Sequence, residues 1–434
     1  MKVVIMAGGK GTRISSIAKD IPKPMIKIGD KPVLEHTIEC LSKQGFKDII
    51  ITVAHLSEII IKYFGDGSKK SPVTGKNFDV HIEYYIENEA LGNAGALFKI
   101  KDKFENDFLL INGDIIFDVD LWRFIEYHRK KQGLVTLFTH PNSHPYDSGL
   151  IIANKSGVVE RWLTKEEERK GFYKNRVNAG IHIISPRLLE QELVEDKVDL
   201  DRQLLKPLVS SGKIYAYDSS EYVKDMGTPE RYESVYRDYE QGKIKARNFV
   251  NKQKAIFIDR DGTINRYVGF LKDIEQFELL EGVPKAIKMI NDSEYLAIVV
   301  TNQPVVARGE VSFEELENIH NKMESLLGLE GAYVDGIYFC PHHPDKGYDG
   351  EVSDLKISCS CRKPKPGMLL NAAKDFNIDL TKSWMIGDSE QDIKAGIDAG
   401  CKTVYLNENY CNDCAATIQV RTLLEFSKKF FDEN

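Results

Sequence analysis

The residues best suited to chemistry fall into two sets, one in each half of the chain. Asp259-Arg260-Asp261-Gly262-Thr263 follows the apolar run Ala255-Ile256-Phe257-Ile258. Two carboxylates where a buried strand ends repel each other, and a divalent cation between or near them is the natural remedy. Further polar groups follow later apolar runs: Thr301-Asn302, the basic loop Arg362-Lys363-Pro364-Lys365, and Gly387-Asp388. A hydroxyl and a lysine hold phosphoryl oxygens, and a third aspartate completes an oxygen-ligated Mg2+ site. A lone Asp-x-Asp means a solvated turn more often than a site. The ordered series, each member after an apolar strand, points to phosphoryl chemistry.

The same half carries Cys340-Pro341-His342 and Cys359-Ser360-Cys361, with sixteen residues between the two groups. Three thiolates and one imidazole fit a closed tetrahedral Zn2+ site, and a closed site is structural. Cys340, His342, Cys359 and Cys361 are therefore expected to pin the loop that delivers Arg362 and Lys363. The competing reading is a set of buried free thiols. His343 is expected to be a bystander, and Cys411-x-x-Cys414 a pair of ordinary loop thiols, since no partner pair lies near it in sequence.

In the first half, Gly8-Gly9-Lys10-Gly11-Thr12-Arg13 follows Val3-Val4-Ile5-Met6-Ala7. Glycines let a backbone approach a phosphate, and Arg13 supplies a planar charged fork. The loop is neither a Walker loop nor the dinucleotide fingerprint. Pro22-Lys23-Pro24 sets a lysine in a stiff turn. Leu91-Gly92-Asn93-Ala94-Gly95-Ala96 is a small-residue turn suited to packing against a planar base. Asn112-Gly113-Asp114 ends an apolar strand, and Asp225-Met226-Gly227-Thr228 supplies another aspartate. Two aspartates converging on a triphosphate hold Mg2+. Four unrelated turns is the bland alternative.

These groups need elements to position them. In the first half, strands are expected over residues 3–7, 49–53, 80–85, 108–111, 135–138, 181–184 and 214–217, with helices over 31–44, 121–132 and 228–239. After a polar stretch the rhythm restarts. Strands follow over 255–258, 296–301, 336–340, 383–386 and 402–406, with helices over 284–291, 313–326, 368–376 and 393–399. The alternation implies largely parallel sheets. The domains are expected at 1–240 and 254–434, joined by a linker at 241–253.

The bulk numbers agree with two soluble domains. The chain has 434 residues, 42% hydrophobic and 29% charged, with net charge −7. That charge leaves no footprint for nucleic acid or membrane. The N-terminus reads as a strand rather than a signal peptide. Seven cysteines, six of them after residue 339, make no disulfide framework, so a reducing cytoplasm is expected.

At its aspartates the second half resembles the haloacid-dehalogenase (HAD) superfamily of phosphatases. The resemblance implies that Asp259 is the nucleophile and that Asp261 protonates the leaving alcohol and then activates water. It gives Mg2+ to Asp259, the Asp261 carbonyl and Asp388, with Asp392 as a partner of that set. Thr301, Asn302, Arg362 and Lys363 are then phosphate and substrate contacts. The cysteine cluster, Thr301-Asn302-Gln303, Ala307-Arg308-Gly309 and Arg362-Lys363-Pro364-Lys365-Pro366-Gly367-Met368 look like the D-glycero-D-manno-heptose-1,7-bisphosphate 7-phosphatases. Histidinol-phosphate phosphatases share the cluster and are the rival. Pro304-Val305-Val306 and Ser389 depart from the heptose pattern.

Residues 1–240 resemble the sugar-1-phosphate nucleotidylyltransferases, most closely the guanylyltransferases of the heptose route. The resemblance implies attack of a sugar 1-phosphate on a nucleoside triphosphate. Arg13 and Lys23 would neutralise phosphates, and Asp114 and Asp225 would bind Mg2+. Gly8, Gly9, Gly11, Thr12, Gly92, Asn93 and Asn112 would meet the nucleotide; Gly149, Glu160 and Asn178 would meet the sugar. Arg161 stands where a lysine is usual.

The expectation is therefore an α/β protein with two doubly wound, Rossmann-like domains in series, GT-A-like and then HAD-like with a zinc loop. It acts on heptose phosphates and a nucleoside triphosphate, GTP foremost, in the cytoplasm. It binds neither nucleic acid nor membrane, and self-assembly is compatible with it. The alternative keeps the class and changes the substrates: a hexose- or mannose-1-phosphate transferase fused to a histidinol-phosphate-type or other phosphatase. A third reading makes one half a nucleotide-sugar sensor that regulates the other.

Overall fold

The structure is a computed structural model, and it describes residues 1–9, 20–89, 91–191, 197–409 and 414–432. The chain divides into two compact units. The first comprises Met1–His140, Gly149–Thr164 and Val177–Asn248, and the second Pro141–Ser148, Lys165–Arg176 and Phe249–Asn434.

The first unit is built on a nine-stranded sheet. Its parallel part runs His81–Ile86, Asp48–Val53, Val3–Met6, Phe108–Asn112, in that spatial order. Numbered along the chain, that is order 3-2-1-4. Val3 and Ile5 pack into one core and Val4 into the other, on the opposite face. A strand buried on both faces reads as a continuous apolar run, as this one does. Beyond Phe108–Asn112 the sheet turns mixed. Val177–Ile184 pairs antiparallel with it and with Val135–His140. Ile214–Asp218 then adds in parallel to Val135–His140. A small antiparallel ribbon joins Ile115–Asp118 to Tyr222–Asp225. The helix Pro229–Glu240 follows, with proline in its first turn and the Thr228 side chain accepting from Arg231 N.

The second unit holds a six-stranded, wholly parallel sheet. Its spatial order is Gly336–Cys340, Tyr295–Asn302, Lys254–Ile258, Trp384–Gly387, Lys402–Leu406, Ile418–Val420. In chain order this is 3-2-1-4-5-6, the doubly wound arrangement. Ile256 and Ile258 enter one core, Ala255 and Phe257 the other. The helix Phe313–Leu329 opens with a capping box between Ser312 and Glu315. A second capping box, Ser389 with Asp392, opens Glu390–Ala399, which ends at Gly400 in the left-handed conformation.

In each sheet the order reverses beside the first strand, so a crevice opens between the carboxyl ends of the first and fourth strands. Gly8 and Asn112–Asp114 lie there in one unit, Asp259 and Asp388 in the other.

Candidate active sites

In the second unit, Asp259 leaves Lys254–Ile258 and Asp388 leaves Trp384–Gly387. Carboxylate oxygens of Asp259, Asp388 and Asp392 lie within 4.8 Å of one another. Gly262, with φ +89°, permits this closeness: a Cβ there would lie 1.9 Å from Asp388 Oδ2. Lys363 Nζ donates to Asp259 Oδ1 at 2.5 Å and to the Val300 carbonyl at 2.8 Å, and pairs with Asp392 Oδ1 at 2.6 Å. The ammonium thus makes two hydrogen bonds and one further ion pair. Burial opposes the Lys363 charge, but Asp259 and Asp392 outweigh it and raise its pKa. Burial likewise raises the pKa of Asp259, with Lys363 opposing and Asp392 adding to the rise. Asp388 is pushed up to about 6, by burial first and then by Asp392. Three crowded carboxylates against one ammonium leave two negative charges uncompensated, which suits a divalent, oxygen-seeking cation.

Asp392 takes the third place in that carboxylate group. Its Oδ2 accepts from Ser389 N at 3.1 Å and Ser389 Oγ at 2.6 Å. Ser389, a departure from the family pattern, thus aims Asp392 at Lys363. The Asp261 side chain turns elsewhere. Arg260 Nη2 donates to both of its oxygens at 2.9 Å, Asn265 Nδ2 donates at 3.1 Å and Gln303 Nε2 at 2.8 Å. Arg260 is fully buried. Gln303 also donates to Thr301 Oγ1 at 2.8 Å. Asn302 brackets Lys363 from the backbone, accepting its N–H and donating to its carbonyl, both at 3.0 Å. Arg362 reaches the His342 carbonyl at 3.4 Å.

Cys340, His342, Cys359 and Cys361 close into one cluster. Sulfur–sulfur distances are 3.2, 3.3 and 3.5 Å, and His342 Nδ1 lies 3.3 Å from Cys361 and 3.6 Å from Cys340. Zinc–ligand bonds of ~2.0–2.3 Å give a tetrahedron edges of roughly 3.5–3.8 Å, close to this spacing. The thiols are free rather than bridged. Hydrogen bonds from Cys340, Cys359 and His342 pull the Cys361 pKa down. The donor set fits zinc. His343 lies outside the cluster.

In the first unit, Gly8, Gly9, Lys23, Gly92, Asn93, Asn112 and Asp114 line one cavity of about 290 Å3. Lys23 pairs with Asp114. Asp225 lies opposite Ile115 in the small ribbon, and its carboxylate holds Arg231 Nη1 at 2.9 and 3.1 Å. Asn93 Oδ1 accepts from Leu200 N at 2.7 Å. Gly11, Thr12 and Arg13 lie outside the described residues, as does Cys411. Gly149, Glu160 and Asn178 lie outside the cavity lining. Asn154 donates to Glu160 at 3.0 Å, and Asn178 pairs with His182 at 3.0 Å. Glu87, absent from the sequence reading, lines the cavity, and a Cβ on Gly8 would lie 2.9 Å from its Oε1. Burial raises the Glu87 pKa. Its only sequence signal was its place at a strand end.

Residues 2–242 match the nucleotidyl transferase family model, and residues 360–417 match the HAD-hydrolase-like model. The D-glycero-beta-D-manno-heptose-1,7-bisphosphate 7-phosphatase of Haemophilus ducreyi is 43% identical over 155 residues, 36% of this chain and 82% of that protein. The chain belongs to the nucleotidyl transferase family and, in its second half, to the heptose-bisphosphate phosphatase family. A D-glycero-alpha-D-manno-heptose-1,7-bisphosphate 7-phosphatase from Burkholderia mallei is 42% identical over 36% of this chain and 80% of its own. The crystal structure of HddC from Yersinia pseudotuberculosis is 28% identical, with TM-score 0.46, covering 55% of this chain and 99% of its own. The protein is thus an enzyme with a nucleotidyltransferase and a phosphatase domain. Among the described residues no helix is long and apolar enough to cross a membrane.

Proposed function

We propose that the protein is a bifunctional enzyme of nucleotide-heptose synthesis. Residues 254–434 remove the 7-phosphate from D-glycero-D-manno-heptose 1,7-bisphosphate. Residues 1–240, joined to them through 241–253, transfer GMP from GTP to the resulting heptose 1-phosphate and release pyrophosphate. The observation that carries this reading is the presence of both families in one chain, because the first product is then the second substrate. GTP rests on the resemblance of residues 1–240 to the guanylyltransferases of this route. Relatives named for the beta and the alpha anomer match almost equally well, so identity does not choose between the two bisphosphates.

In the phosphatase, Asp259 attacks phosphorus, the sugar alkoxide departs, and Asp261 supplies its proton. Asp261 then takes a proton from the water that releases phosphate from Asp259. Lys363 steadies the nucleophile, and Arg260, Asn265 and Gln303 orient Asp261. Asp259, Asp388 and the Asp261 carbonyl would hold Mg2+, which when bound screens the phosphoryl charge. Cys340, His342, Cys359 and Cys361 would hold structural zinc. In the transferase, alignment and charge neutralisation carry the reaction. Lys23 and Arg13 meet phosphates, Asp114 and Asp225 supply carboxylates for Mg2+, and Gly149, Glu160 and Asn178 meet the sugar. The enzyme works in a reducing cytoplasm, which keeps its thiols free for metal.

The test is product analysis by mass spectrometry, using both anomeric bisphosphates with each of four nucleoside triphosphates. Phosphate, pyrophosphate and GDP-heptose are expected. Phosphate release with no nucleotide-sugar under any triphosphate would sink the coupled reading.

A further inference from the structure

The motif Ala307-Arg308-Gly309 touches none of the catalytic groups described above, yet its side chains and backbone are committed. The Arg308 guanidinium carbon lies 3.9 Å from the Phe270 ring centroid and 4.5 Å from that of Tyr348. Phe270 stands on the loop leaving Asp261 and Asn265; Tyr348 stands on the arm between the two pairs of cysteine-cluster ligands. Arg308 Nη2 also lies 3.3 Å from His343 Nε2. A guanidinium can only donate, so His343 presents its bare nitrogen there and carries its proton on Nδ1, which lies 3.4 Å from the Asp345 carbonyl. On either side the backbones are joined. Val352 N donates to the Ala307 carbonyl at 3.0 Å. Gly309, with φ +71°, lies so close to Gly350 that a Cβ would sit 1.8 Å from its carbonyl oxygen. The Phe270 loop meanwhile faces outward, with Tyr267 67% and Phe270 47% exposed.

We infer that Arg308 is a positioning residue of the phosphatase, a latch that fastens the loop at 266–272 to the arm of the cysteine–histidine cluster. The inference rests on the phosphatase reading. A planar cation between two rings holds both sides at once, which an ammonium of the same charge does not reproduce. The loop begins at Asn265, whose side chain binds Asp261, so its position sets the wall beside the reacting phosphate. A substrate large enough to meet that wall feels the latch; a small one does not.

Arg308→Lys and Phe270→Ala are compared with wild type on the heptose bisphosphate and on p-nitrophenyl phosphate. Phe270 is half-exposed, so its truncation spares the core and keeps the test valid if Arg308→Lys folds poorly. Both variants should raise KM for the bisphosphate by about tenfold, with kcat within about threefold and turnover of the small ester within about twofold. Zinc content should match wild type. Unchanged KM in Phe270→Ala, or a parallel fall on both substrates, overturns the latch. Wild-type inactivity on the heptose bisphosphate would count against the function reading instead. Hydrogen exchange then decides the latch without substrate. Residues 266–272 should exchange about tenfold faster in both variants, and unchanged exchange would refute it.

Discussion

Around Asp259 the charged groups are braced before any substrate arrives, whereas the predicted metal carboxylates of the transferase, Asp114 in the cavity lining and Asp225 outside it, are half-exposed and each pairs with a long basic side chain. Asp259 and Asp392 have side chains 10% and 1% exposed and share one buried lysine. Asp114 and Asp225 are 34% and 35% exposed, and each holds its own cation, Lys23 and Arg231. Both centres sit at the same topological place, the reversal between the first and fourth strands. The difference therefore comes from chemistry rather than fold. A covalent nucleophile must be held in one position and one charge state. Nucleotidyl transfer can rely on groups that the incoming triphosphate and its cation rearrange, because its catalysis is alignment and neutralisation.

The sharpest way to break that contrast is Asp259→Asn. It removes the nucleophile while keeping the shape, so phosphate release should fall by at least about 10^4-fold. Nucleotide-sugar formation from supplied heptose 1-phosphate should not change. Residual phosphate release above that level, measured in a coupled assay, would show that another group attacks phosphorus.

The paired variants Asp114→Asn and Asp225→Asn come next. Asp114 lines the cavity and frees a cation when neutralised, so its loss should slow nucleotidyl transfer by about 10^2–10^3-fold. Asp225 lies outside the cavity lining and holds Arg231, so its loss should cost less, about tenfold. Equal losses in pyrophosphate-release assays would mean that Asp225 leaves Arg231 during turnover. The contrast between a braced and an adjustable centre would then widen.

Much of this was legible in the sequence because it is periodic or sharply spaced. Val3-Val4-Ile5 and Ala255-Ile256-Phe257-Ile258 announce strands buried on both faces. Cys340, His342, Cys359 and Cys361 announce a cluster by ligand type and interval. What escaped depends on direction or on long-range pairing. Nothing in an apolar run says that Val177–Ile184 enters the sheet antiparallel. The helix Ser57–Phe64 carries three consecutive isoleucines, whose β-branched side chains weaken a helical signal. The short helix Leu423–Phe431 escaped as well. Arg260 reads as a loop charge between two aspartates, and only the fold shows it buried against Asp261. Asp392 was legible as a partner of the Mg2+ set, but its ion pair with Lys363 was not, because the capping box at Ser389 is a local signal and Lys363 lies far away in sequence.

The last variant probes the bracing itself, with an effect far smaller than that of Asp259→Asn. Cys361→Ser keeps the fold of the loop nearly isosteric and replaces one soft ligand, so zinc measured by elemental mass spectrometry should fall from one to well below one per chain. Arg362 and Lys363 follow Cys361 directly. Phosphatase activity should therefore drop by about 10- to 100-fold, the scale for loosening groups that orient a site. Lys363 retains its reciprocal bonds to Asn302, which is why the loss should stay far below that of Asp259→Asn. Nucleotidyl transfer should be untouched. If zinc leaves and phosphate release holds at the wild-type rate, Asn302 and the side-chain partners of Lys363 suffice to place it, and the cluster braces the arm at 341–358 rather than the reacting groups.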